Sequence, residues 1–198
     1  ECSDNIALLP ATAEDNCSYS EITVLETTVS GNSIGNYTIA RLFSATDACG
    51  NTSSATQVIT VQDTTSPSLI VPSDYTSECS SELVYNDASA TDNCGTTVIS
   101  VVESTIPGNA AGNYTVVRTF TATDDSGNTT TLAQTITVED TTAPELTIPG
   151  NFIVECSDEI TLDQGTATDN CGAVTISVSD ETIAGSSAGT YLIVRTHT

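Results

Sequence analysis

Seven cysteines, a recurrent set of aspartates and three arginines are the residues able to do chemistry in this 198-residue chain. Cys2 and Cys17, Cys79 and Cys94, and Cys156 and Cys171 are each separated by 15 positions, which predicts one local disulfide per pair. Closing such a loop contributes on the order of 3 kcal/mol. Cys49 is left over. A zinc site would need other ligand spacings and more histidine than the single His197. Disulfides belong to an oxidising, extracellular compartment. The start of the sequence carries no signal-peptide pattern, so a targeting segment is expected outside it.

The same residues recur in register. ECS at 1–3, 78–80 and 155–157, and DNC at 15–17, 92–94 and 169–171, repeat with a period of 77. GNYT at 35–38 and 112–115 is matched by GTYL at 189–192, TDACGN at 46–51 by TDDSGN at 123–128, and DTTSP at 63–67 by DTTAP at 140–144. Three whole copies would need 33 more residues, so the sequence is expected to begin and end inside a repeat of a longer or polymeric chain. Between Gly, Pro, Asn and Asp turn clusters lie β-branched runs such as YTVVRTFTAT (114–123), and no 3.6-residue apolar period is sustained. The reading is all-β: tandem Ig-like β-sandwich repeats of 77 residues arranged as a rod. The boundaries fall at the DTT segments. Residues 64–140 form a whole repeat, 1–63 one lacking its first strand, and 141–198 one lacking its last strands.

Those strands and turns position the reactive side chains. If DNC and TDxxGN are loops at one end of a sandwich and the DTT linker enters there, Asp63 meets Asp92 and Asp124, and Asp140 meets Asp169. Asp15 and Asp47 are the first-repeat members of the set. Converging carboxylates and loop carbonyls suit the hard, six-to-eight-coordinate Ca²⁺ ion. The competing reading is that these aspartates cap turns through Asx hydrogen bonds. A glycosidase pair is disfavoured, because carboxylates repeated this often do not define one active site.

Strand alternation puts Arg118 on the face of Tyr114, Val116 and Phe120. Arg41, Arg118 and Arg195 are therefore each expected to hold a structural ion pair with a carboxylate or with backbone carbonyls. His197 occupies the column of Phe43 and Phe120, which makes it a variant of an apolar position. With no recurring nucleophile near it, no catalytic triad is expected.

Composition narrows the partners. Asp and Glu number 26 against three arginines and no lysine, for a net charge of −23. That balance excludes nucleic acid, which needs a basic footprint. No apolar run is long enough to span a membrane.

The order DTTAP, ECS, TDNCG, GNYTVVRTFTATD, SGNTT, ITVEDTTAP resembles the HYR-like (hyalin-repeat) Ig-like modules of long bacterial surface proteins, of the kind Bacteroidota secrete. That resemblance covers every repeat. It implies an extracellular, cell-surface spacer, adhesin or filament module whose partners are neighbouring copies or repeats and surface glycans. It also marks Thr64 and Thr141 as O-glycosylation candidates, while Asn36 and Asn113 fit the N-x-(S/T) acceptor pattern. The leading expectation is a calcium-stiffened, disulfide-stapled structural protein that is not an enzyme. The alternatives are an adhesin that binds a glycan or protein, and the stalk of a secreted enzyme.

Overall fold

The computed structural model describes residues 6–16, 21–155 and 157–198. Cys2, Cys17 and Cys156 lie outside the described residues. The described chain is all-β, with no helix. None of its segments is therefore a helix long and apolar enough to cross a membrane. Its strands are β1 (Glu21–Ser30), β2 (Tyr37–Thr46), β3 (Thr52–Val61), β4 (Ser68–Ile70), β5 (Tyr75–Glu78), β6 (Ser89–Thr91), β7 (Thr97–Pro107), β8 (Tyr114–Asp124), β9 (Thr129–Glu139), β10 (Glu145–Thr147), β11 (Thr166–Thr168), β12 (Val178–Ala184) and β13 (Tyr191–His197).

Strands β1, β2 and β3 form an antiparallel three-stranded sheet. The corresponding strands one period later are β7, β8 and β9. They form a four-stranded sheet in the order β5-β9-β8-β7, in which β5 runs parallel to β9. The short strands β4 and β6 pair separately, as do β10 with β11 and β12 with β13.

Alternation decides which side of β8 is inside. Val116, Phe120 and Ala122 are buried, with Arg118 and Asp124 on the same face, and the intervening residues are partly exposed. Phe120 and Ala122 pack with Leu69 of β4, and Ala90 of β6 and Ile99 of β7 close around them. One sheet thus lies across apolar side chains from another, the layering of a β-sandwich. A second cluster joins Val116, Ile136 and Val138 to Tyr75, Cys79, Leu83 and Tyr114.

Two compact units result, Glu1–Asp74 with Tyr85–Ser104 and Val117–Thr135, and Tyr75–Val84 with Thr105–Val116 and Ile136–Thr198. Their boundaries cut through β7, β8 and β9. Each unit contains one DTT linker, so both linkers are internal to compact structure.

Candidate functional site

The arginines make the most regular constellation. Glu26 of β1 lies opposite Arg41 of β2, and Gln57 of β3 lies opposite Arg41 on the other side. The row places Arg41 Nε 2.8 Å from Glu26 Oε1, while Nη1 donates to Gln57 Oε1 and to the Leu9 carbonyl at 3.2 and 3.0 Å. One period on, Arg118 donates to Glu103 at 2.9 Å, to Gln134 at 3.2 Å and to the Asn86 carbonyl at 3.0 Å. Arg195 pairs with both oxygens of Asp180 at 2.7 Å and reaches the Leu162 carbonyl at 2.9 Å. Hydrogen bonding to Arg195 holds the Asp180 carboxyl below its ordinary range. These guanidiniums are internal braces, each joining a carboxylate to a backbone carbonyl. His197, in the Phe43 and Phe120 column, has a buried Nε2 without a hydrogen-bond partner.

Around the first linker, Asp63, Asp92 and Cys94 offer ligand atoms within 4.8 Å of one another. Asp63 and Cys94 are buried. Asp92 Oδ2 accepts from the Cys94 amide at 2.7 Å, while Oδ1 is buried with no hydrogen-bond partner. Asp124 stands outside this group. Its oxygens accept from the Ser126 and Asn128 amides and from Asn128 Nδ2 at 2.8 to 2.9 Å. Burial pushes that carboxyl up, yet the Asn128 and Ser126 bonds outweigh it and hold the pKa below 3.8. Asp47 caps the equivalent turn through Asn51 and Cys49 and is likewise lowered, chiefly by the Asn51 side chain. Asp15 is partnered. The Asp124 turn still touches the linker, because Asn128 Nδ2 donates to the Asp63 carbonyl at 3.3 Å. Asp125, which replaces Ala48, accepts from the Thr96 amide at 2.8 Å.

At the second linker the group is Glu78, Cys79, Asp140 and Cys171. Asp169 is not in it, and caps the Cys171 amide at 2.8 Å. Cys79 and Cys171 form a disulfide with Cα atoms 5.9 Å apart, spanning 92 residues. This corrects the pairing expected from the 15-residue spacing, in which Cys79 would join Cys94 and Cys156 would join Cys171. The reason lies in where each cysteine is carried. Strand β5 runs parallel to β9, so Cys79 arrives beside the outgoing linker and donates its amide to the Glu139 carbonyl at 3.2 Å. Cys94 follows β6, in a different sheet, and sits with Asp63 of the incoming linker. Spacing along the chain counted residues, whereas the strand between the cysteines carries them apart. Cys94 is itself disulfide-bonded, and Cys49 is free and exposed.

Gly112 fits this staple. It adopts φ 83°, in the left-handed region that favours glycine. A Cβ there would also lie 3.0 Å from that of Cys171 and 3.4 Å from that of Cys79.

Two further contacts hold the linkers. Asn36 Oδ1 accepts the Asp63 amide, and Asn113 Oδ1 accepts the Asp140 amide, both at 2.8 Å. The sequence carries a signal for this, since both pairs keep the same separation of 27, and the same asparagines also fit the N-x-(S/T) pattern. Glu78 is the other. Its carboxylate accepts from Thr141 Oγ1 at 2.7 Å, from Asn170 Nδ2 at 3.2 Å and from the Thr141 amide and Thr142 hydroxyl. A glycan on Thr141 would replace the hydrogen that Oγ1 donates to Glu78. Thr64, its first-linker counterpart, is partnered as well.

Those hydrogen bonds, Thr141 first and Asn170 second, hold the Glu78 pKa below its ordinary 4.5. A carboxyl lowered on folding contributes stability in full above its unfolded pKa and loses it as pH falls through the folded value. Acid titration of the second linker should therefore weaken it below about pH 4.5. Replacing Glu78 by Gln is expected to flatten that part of a stability-against-pH curve measured by urea unfolding, and an unchanged curve would contradict the assignment.

Layered strands, a brace of arginine and carboxylate in each repeat and a covalently tied linker define a small all-β repeat module. Residues 67–138 match the model of a family described as HYR-like domain with 4 cysteines. This stretch contains two cysteines, Cys79 and Cys94, and Cys79 bonds to Cys171 beyond its end. No curated protein matches the chain.

Proposed function

We propose that this chain is a segment of an extracellular structural repeat protein, whose modules are braced at their linkers into a stiff rod or filament. The observation that carries the reading is the second linker. Residues 140–142 are held there by Asn113 and by Glu78, whose neighbour Cys79 is bonded to Cys171. A chain segment with so many fixed partners resists bending, and a disulfide fits an oxidising, extracellular setting. A charge of −23 keeps neighbouring surfaces apart. The proposal gives the chain no chemical step of its own. Its partners are neighbouring repeats or copies, and glycans on Thr64 or Thr141 remain part of the proposal.

Calcium belongs to the first linker in this reading. Asp63 and Asp92 supply hard oxygen donors, and the unpartnered Asp92 Oδ1 has the capacity a cation uses. The sulfur of Cys94 is a soft atom already in a disulfide and is no ligand for Ca²⁺. At the second linker the Glu78 oxygens are occupied by hydroxyl and amide donors, so an ion there has less to gain. Added Ca²⁺ at about 1 mM, in the range of extracellular sites, should raise the thermal midpoint of the chelator-treated protein, and Asp92→Asn should remove most of that rise. A midpoint indifferent to Ca²⁺ would end the calcium part. For the structural role, small-angle scattering should show one extended conformer when oxidised and a broader distribution after reduction. Identical profiles in both states would count against bracing.

A further inference from the structure

At the second linker Glu78, Cys79, Asp140 and Cys171 offer four ligand atoms within 4.8 Å of one another, and all four residues are partly buried. While Cys79 and Cys171 are bonded to each other, neither sulfur is a thiolate that could bind a metal. Breaking that one bond changes the chemistry, because two thiolates and two carboxylates then converge on one point. Two sulfurs and two oxygens make a four-donor set that the borderline-soft, tetrahedral Zn²⁺ ion accepts and Ca²⁺ does not. We propose that the second linker carries a redox-gated zinc site, in which Cys79 and Cys171, once reduced, bind Zn²⁺ together with Glu78 and Asp140.

The spacing fits the ion. A sulfur and an oxygen on one tetrahedral zinc stand about 3.6 Å apart, from bond lengths of roughly 2.3 and 2.1 Å. Glu78 Oε1 lies 3.7 Å from Cys79 Sγ and 3.7 Å from Cys171 Sγ. Cα atoms 5.9 Å apart let the two thiolates part by side-chain rotation and still share one ion. Chain spacing alone argues against zinc, but the fold removes that argument by bringing together cysteines 92 residues apart.

The ligands are also held by bonds that do not depend on the disulfide. Asn113 Oδ1 accepts the Asp140 amide, Asp169 Oδ1 accepts the Cys171 amide, and the Cys79 amide donates to the Glu139 carbonyl. Thr141 Oγ1 donates to Glu78 Oε2 at 2.7 Å, which turns Oε1 toward the sulfurs. Asn170 Nδ2 sits 3.2 Å from that Oε1 and 3.8 Å from Cys79 Sγ, where it steadies both ligands as outer-shell donors do. The hydroxyl and amide bonds to Glu78 leave a hard cation little to gain there. Two thiolates change that balance, and the bound zinc keeps the linker tied when its covalent bond is gone.

Opening the site needs a reductant, which a low-molecular-weight thiol such as glutathione supplies. Its thiolate attacks the disulfide, forming a mixed disulfide and releasing one cysteine thiolate. A second glutathione thiolate attacks the glutathione sulfur of that mixed disulfide and releases the other. Two thiols are oxidised to one glutathione disulfide, Zn²⁺ takes both cysteine thiolates, and two protons go to solvent.

The test is Co²⁺ and Zn²⁺ binding to the whole chain, reduced with a phosphine and compared with the oxidised chain. Co²⁺ is expected to give the reduced chain thiolate-to-cobalt charge-transfer absorption and the intense d–d bands of tetrahedral coordination, both displaced by equimolar Zn²⁺. Cys171→Ser should abolish the charge-transfer absorption, Cys49→Ser should leave it unchanged, and Glu78→Gln and Asp140→Asn should each weaken zinc binding by about tenfold or more. In the unmutated reduced chain, Zn²⁺ should slow alkylation of Cys79 and Cys171, read by mass spectrometry, and leave that of the exposed Cys49 unchanged. Equal zinc affinity in the oxidised and reduced chains, an octahedral cobalt spectrum, or alkylation of Cys79 and Cys171 indifferent to Zn²⁺ would overturn the proposal. A reduced chain that loses its sheets by circular dichroism and does not regain them with Zn²⁺ would overturn it as well.

Discussion

Replacing Cys79 and Cys171 together by serine is expected to lower the unfolding free energy of the structure they close by about 4.7 kcal/mol, the loop-entropy value for a span near a hundred residues. The loop between them has a sequence separation of 92, against 15 for the pairing that spacing alone favoured. Longer closed loops restrict the unfolded chain more, so the cross-repeat bond is the stronger staple of the two on this argument. The loss should appear in urea unfolding followed by circular dichroism, in the phase that includes the third repeat. Cys49→Ser is the control and should move nothing, because Cys49 is free and exposed. A double variant as stable as the parent would mean that the staple records proximity without contributing to stability.

Arg118→Ala is expected to cost about 3 kcal/mol, as for other buried ionic networks broken on one side. Arg118 is 5% exposed and its guanidinium lies over the rings of Tyr85 and Phe120, with centroids 4.7 and 4.9 Å away. Its partner Glu103 has a side chain 46% exposed, so that carboxylate rehydrates when the arginine is lost. The cost falls elsewhere. Gln134, 1% exposed, and the carbonyl of Asn86 lose the donor that served them, and an unsatisfied buried acceptor is the expensive outcome. Arg118→Lys should recover only part of the loss, since an ammonium cannot reproduce the planar fork that serves three acceptors. Arg195→Ala should cost less, because its side chain is 21% exposed against 7% for Arg118. Equal losses at 118 and 195 would contradict the burial argument.

The arginine row was legible because strand alternation and a fixed register settle it. Arg118 two residues from both Val116 and Phe120 must face inward, and a buried guanidinium must find acceptors. The nearness of Asp63 to Asp92 was legible for a similar reason, since short loops return the chain to the end where a linker enters. The cysteine partners were not. A strand run separates Cys79 from Cys94, and which sheet each end joins depends on β5 pairing in parallel with β9, a long-range choice that local pattern does not encode. Glu78 recurs as the first residue of the ECS motif, but its grip on Thr141 and Asn170 requires two segments far apart in sequence to meet. Asp124 shows the converse. Its position suits a linker ligand, but the short turn to Asn128 claims its carboxylate first through local hydrogen bonds.

Stretching single molecules from their ends tests most directly whether the second linker is tied covalently across repeats. With the 79–171 staple intact, the enclosed residues cannot extend. At about 3.5 Å per residue, reduction should lengthen the fully stretched chain by at least about 30 nm. Three local loops, one in each repeat, would together release only about 15 nm on the same scale. A gain of that smaller size, or none, would contradict the cross-repeat brace.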